Sequence, residues 1–197
     1  MRRIALLLLA ALAALSAPTI AQASHARTET AVFARGTSPQ GERWSASADV
    51  RPNRRRRLWR FDVEFRFSNG YRWGSGQEIP IGSHEQMARE ADGYTGLLSE
   101  GAPESAAFGY AGSEVTRIKM KMSDGSSLEV HPVFPPERLR HKFVWMRGFR
   151  YFMQYYSGGA YVTEYWLYDR AGLQVGCDTY AEGELLGPSI CGTRPIT

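Results

Sequence analysis

Cysteine is almost missing from this chain: Cys177 and Cys191 are the only two in 197 residues, with no histidine beside them. Two thiols without a neighbouring imidazole do not make a zinc site, and a redox pair has tighter spacing than this. Histidine is equally sparse, and His25, His84, His131 and His141 are scattered along the chain. His84-Glu85 has no second histidine four residues on, which excludes a zincin helix. A G-x-S-x-G elbow, a P-loop and a dinucleotide fingerprint are all lacking. Neither a metal nor a cofactor is expected. A catalytic triad assembled only in space stays open, because its members need not be neighbours in sequence.

Lysine is also scarce, three of 24 basic residues, which reads as a base-composition bias rather than a designed site. One apolar run stands out, Ile4 to Leu15, after Arg2-Arg3 and before Ala21-Gln22-Ala23. This is the pattern of a secretory signal over residues 1–23, cleaved after Ala23 or, as second choice, Ala26. The run is too short for a mature membrane anchor, and no second stretch reaches spanning length. The expectation is a secreted protein that follows the general secretory route. Loss of Arg2 and Arg3 takes the basic count from 24 to 22 against 20 acidic residues, so net charge gives no reason to expect a nucleic-acid partner. Export places the two cysteines in oxidising surroundings, where a Cys177–Cys191 disulfide would close a 15-residue loop and pin the C-terminal tail.

What is present is strand pattern. Trp44, Ala46, Ala48 and Val50 alternate with polar or small residues. From Leu58 to Phe67 one face carries Trp59, Phe61, Val63, Phe65 and Phe67, and the other Arg60, Asp62, Glu64 and Arg66. Asp62 and Glu64 resemble an acid–base pair, but the flanking arginines favour ordinary ionised carboxylates on a solvent face. A three-residue turn at Asn69-Gly70-Tyr71 would set Trp73 opposite Phe67 and keep the apolar face whole. Between the two strands Arg54, Arg55, Arg56 and Arg57 form the most basic segment. It is either a solvated loop or a contact for an anionic surface.

Ser83-His84-Glu85-Gln86 is a capping box for a short helix over residues 84–92. Gly93 to Ser113, rich in Gly, Ala and Ser, reads as a long surface connection. Val115 to Met122 and Leu128 to Phe134 form a hairpin about Asp124-Gly125-Ser126, with Met122 facing Leu128, Met120 facing Val130 and Lys121 facing Glu129. Glu137 to Lys142 is a second basic patch.

Eleven of the 24 aromatic residues lie between Phe143 and Tyr168. Ser157-Gly158-Gly159-Ala160 reads as a hairpin turn that pairs Tyr155 with Val162, Tyr151 with Trp166 and Phe149 with Tyr168. Asp169-Arg170-Ala171-Gly172 is a further turn, setting Tyr168 against Leu173 and Trp166 against Val175. These pairs define a core face. The opposite face carries Phe152, Tyr156, Tyr161 and Tyr165 among polar groups, the candidate contacts of a ligand-facing sheet. A sheet half-covered by another layer has the same pattern.

Gly112 to Val115, Asp124-Gly125 and Tyr168 to Leu173 carry a pattern of strand and turn that resembles a β-rich domain of uncharacterised exported or membrane-tethered actinomycete proteins. The likeness covers residues 109–176 and implies a sandwich-like β fold with no catalytic residues to transfer. The sequence therefore predicts an all-β, mainly antiparallel, sandwich-like protein, built as one compact sandwich or as two abutting units. These would be an N-terminal β unit over 24–105 with the short helix, and a C-terminal β-meander over 106–197. The expected function is non-catalytic binding at the cell envelope, to an anionic polymer, a lipid surface or a glycan. The alternative is a small secreted hydrolase with a spatially assembled site.

Overall fold

The computed structural model describes residues 28–53, 58–80, 91–97, 104–181 and 184–185. Residues 1–23, expected to be a signal, Arg54 to Arg57, most of the helix expected over 84–92 and Cys191 lie outside them.

Alternation in the first half of the chain becomes one antiparallel meander. Strands β1 (Glu29–Thr37), β2 (Arg43–Asn53), β3 (Leu58–Phe67) and β4 (Arg72–Pro80) lie side by side in chain order, in what we term sheet A. Ala46, Ala48, Phe61, Val63, Phe65 and Phe67 are buried on one face, as the period of two requires. The turn after β3 has three residues, as expected, but starts one residue earlier than its sequence suggests, at Ser68. The Phe67 N–H donates to Tyr71 O at 2.9 Å, Gly70 adopts φ +92°, and Trp73 stands opposite Phe65 instead of Phe67. The displacement is two residues, which leaves every side chain on its intended face.

Strands β5 (Ala91–Leu97), β6 (Glu104–Gly112) and β9 (Phe149–Ser157) form sheet B, with β6 central. Strands β7 (Arg117–Met122), β8 (Ser127–Val130), β10 (Val162–Tyr168), β11 (Gln174–Ala181) and β12 (Glu184–Leu185) form sheet C, in the order β12-β11-β10-β7-β8. Between β8 and β9 lie the helix α1 (Glu137–Lys142) and a 3₁₀ turn, Val144–Arg147.

Sheet B is the middle of three layers. Phe108 and Tyr110 of β6 and Phe149 of β9 pack in one cluster with Phe33, Phe61, Phe65 and Phe67 of sheet A. Ring centroids are 5.0 Å apart for Phe65–Phe108 and 5.1 Å for Phe61–Phe149. From the other face of the same strands, Ala107, Ala111 and Phe152 join Ile118, Met120, Met122, Val162, Tyr165 and Leu167 of sheet C. Residues 105–112 are all buried.

Three expectations are corrected by this arrangement. Within the Gly93–Ser113 stretch, residues 93–97 and 104–112 are not a surface connection but strands β5 and β6, and Ala91 and Asp92 are strand where the helix was expected to end. The small residues of β6 serve close packing between two sheets; turn chemistry is not their role. The boundary between residues 105 and 106 falls inside β6, whose side chains share a core with sheet A. The aromatic segment is not a hairpin either: β9 pairs with β6, while β10 pairs with β7 and β11. Gly158, at φ +103°, turns a corner from sheet B to sheet C, and the Ser105 hydroxyl donates to its carbonyl at 2.8 Å. A strand with large apolar groups on both faces is satisfied only when covered on both.

The remaining registers keep their faces or break them for visible reasons. In the β7–β8 hairpin Met120 faces Leu128 and Lys119 faces Glu129, two residues from the expected pairing, so the methionines stay inside. The Asp169–Gly172 turn forms, with Gly172 at φ +81°, but Tyr168 faces Gln174 and Trp166 faces Cys177. Irregularities at Val162/Glu164 and Leu167/Tyr168 shift the alternation of β10. Tyr165 and Leu167 turn into the core and Leu173 is left 66% exposed.

Candidate functional site

Two charged surfaces result, and they differ in how their charges are matched. On the outer face of sheet A, Asp49 of β2 stands directly across from Asp62 of β3. Like charges opposite one another are unfavourable, and arginines flank them. Arg51 donates to Asp62 through Nη2 at 2.7 Å, Arg60 donates through Nε at 2.8 Å, and Arg51 Nε lies 3.7 Å from Asp49. Burial, then the Asp62 charge, raises the Asp49 pKa. Arg66 donates to Glu64 at 2.7 Å. Gly76 lies beside Asp62 on β4, and a Cβ there would strike the Asp62 carboxylate. The sequence reading of Asp62 and Glu64 as ion-paired surface carboxylates agrees with this geometry.

The second surface is the α1–3₁₀ segment. Trp145 and Met146 anchor it in the core, Leu139 and Phe143 pack against the same cluster, and the Trp145 indole donates to Glu29 at 2.7 Å. Arg138, His141, Lys142 and Arg147 are exposed on the other side. The cations here are held by oxygens and rings that bear no charge. Arg140 Nε donates to Pro135 O at 3.0 Å, and Arg147 Nε to Arg140 O at 3.1 Å. Half-buried Arg150, on β9, donates to the carbonyls of Ser113 and Pro132 and lies 3.8 Å from the Phe134 ring centroid. The Arg140 guanidinium is 5.0 Å from that same ring. Burial, with Arg140 nearby, lowers the Arg150 pKa. Among the described residues no carboxylate pairs with Arg138, Arg140, Lys142, Arg147 or Arg150; Glu137 lies 3.8 Å from His141 instead.

The proposed aromatic platform does not survive folding. Phe152 and Tyr165 are buried between sheets B and C, Tyr156 is half-buried with its hydroxyl donating to Ala160 O at 3.0 Å, and only Tyr161 is exposed, at 41%. Covering the outer face of β9 with sheet C is the physical reason. The basic segment Arg54 to Arg57 joins Asn53 to Leu58, which are paired across β2 and β3. Cys177 lies on β11 opposite Trp166. Among the described residues no three His, Cys, Asp or Glu side chains are grouped to hold a metal, and no helix is long and apolar enough to cross a membrane.

Sequence reading marked Glu137 to Lys142 but left out Phe134, Arg147 and Arg150. Arg150 was one polar residue in an aromatic strand, and nothing local reveals that it meets Arg140 across one ring.

The class defined by these features is an all-β, three-sheet protein with one matched and one unmatched charged surface. No family model matches the chain, and no curated protein or solved structure is similar to it.

Proposed function

We propose that the mature protein is an exported, non-catalytic binding module that associates with the cell envelope by charge. In this reading residues 1–23 are the removed signal, and Cys177 and Cys191 form a disulfide in the oxidising compartment. The observation that carries the proposal is the contrast in charge pairing. On the outer face of sheet A, Arg51, Arg60 and Arg66 are matched by carboxylates at 2.7–2.8 Å. Arg140, Arg147 and Arg150 donate to backbone carbonyls instead, which leaves their charge available to an external anion. Arg54 to Arg57 add a second concentration of charge in the β2–β3 connection.

Co-sedimentation of the mature protein with its own envelope fraction, at low and high salt, tests the reading. Salt-sensitive binding is expected, because exposed charges are screened. Serine at all four positions 54–57 should weaken it. Absence of binding at low salt would overturn the proposal. Mass spectrometry of the secreted protein should find no free thiol; two free thiols would remove the disulfide.

A further inference from the structure

The basic α1–3₁₀ surface differs from a simple polyanion site in one respect: it carries exposed apolar side chains among its cations. Val144, the first residue of the 3₁₀ turn, is 61% exposed and follows Lys142 by two residues. Val133 is 51% exposed and precedes Phe134, the ring shared by Arg140 and Arg150. Val133 is held in place by paired backbone hydrogen bonds with Tyr151, both 2.8 Å. Val144 is held by its neighbours Trp145 and Met146, which are buried. Between them, residues 137–150 supply five Arg or Lys and a single Glu. An anionic polymer in water rewards cations only. Exposed valines fixed on a rigid base beside them gain nothing from such a partner, whereas a lipid interface rewards both.

We infer that this surface docks on an anionic phospholipid bilayer, with Arg138, Lys142 and Arg147 meeting the headgroup phosphates and Val133 and Val144 entering the headgroup–acyl boundary. The inference rests on and deepens the envelope-binding reading, since it names the partner and sets the contact at residues 133–150 without Arg54–Arg57. Arg140 and Arg150 act from behind. Their charge is neutralised by no carboxylate among the described residues, so it adds to the positive potential of the patch.

The test is sedimentation of the full mature protein with vesicles of phosphatidylcholine alone and with phosphatidylglycerol added. Binding is expected only to the anionic vesicles. The double variant Arg138→Ser/Lys142→Ser should bind roughly thirty-fold more weakly, at about one basic residue's contribution each. The variant Val133→Ser/Val144→Ser should bind roughly five- to ten-fold more weakly at unchanged charge. Val32→Ser, at a position on sheet A that is 43% exposed, should bind as the parent does. All substituted side chains are exposed, and an unchanged circular dichroism spectrum verifies the fold. No binding to anionic vesicles overturns the inference. So does binding indifferent to the valine pair, which would point to a soluble polyanion instead. Envelope binding retained without vesicle binding would sink only the lipid assignment, whereas loss of both would sink the broader reading too.

Discussion

Asp49 and Asp62 face each other across β2 and β3, and the surrounding arginines favour one over the other. Asp62 takes close hydrogen bonds from Arg51 and Arg60, while Asp49 has the looser 3.7 Å approach of Arg51, with the Arg60 charge nearby. The folded pKa of Asp49 is raised above 3.8. Between that value and the raised one the folded state holds more protons than the unfolded state. Asp49 therefore costs stability as pH rises through this window, and the cost persists at neutral pH. Asp49→Asn should thus raise the thermal midpoint at pH 7, with a gain that shrinks as the pH falls toward 3.8. Asp62→Asn should lower the midpoint at pH 7, through a stability loss of about 1 kcal/mol for a partly exposed network. Thermal melts of both variants at pH 7 and pH 4 check this; two shifts of the same sign at pH 7 would refute it. Gly36 offers a steric counterpart: a Cβ there would lie 2.6 Å from the Trp44 ring, which covers the end of β1. Gly36→Ala should cost about 1–3 kcal/mol in urea unfolding, because the indole must move from the core edge.

At the scale of elements, β6 and β9 explain the most. β6 alternates Phe108 and Tyr110 toward sheet A with Ala107 and Ala111 toward sheet C. The alanines leave room for the rings and methionines of sheet C to approach. A larger side chain in that gap has nowhere to go, so Ala107→Leu should destabilise by about 1–3 kcal/mol or more, read from urea denaturation. Near-native stability in that variant would mean that the two layers are loosely packed. These same alanines hid the strand from sequence reading. Small residues are common in connections, and only a second buried face distinguishes the two cases. β10 was misread for a different reason. Its two irregularities reverse the alternation, so Tyr165, one of the residues assigned outward, points inward. Bulges leave little mark in a pattern of period two.

For the molecule as a whole, β6 and β9 join what composition divides. Sheet A packs on their one face and sheet C on the other, so neither half of the chain carries a complete core. We expect a single cooperative urea transition, with coincident curves from tryptophan fluorescence and far-ultraviolet circular dichroism. Residues 28–105 and 106–197 expressed apart should each fail to fold, since the cut removes β6 from sheet A. Two separated transitions would show instead that the sheets unfold independently.

Sequence alone determined the things that depend on near neighbours. Strand alternation in β2 and β3, the ion-paired face around Asp62, the turns at Gly70, Gly125 and Gly172 and the all-β class could all be read without coordinates. Each rests on a period of two or on the positive φ that glycine allows. Which strands pair, and which surfaces stay open, was decided only by tertiary structure. Phe149 and Phe152 lie three residues apart, yet they end in different cores because sheet B is covered on both faces. Arg140 and Arg150 meet at Phe134 because α1 folds back over the start of β9. Burial and charge pairing depend on what arrives from distant parts of the chain, and no local pattern records that arrival.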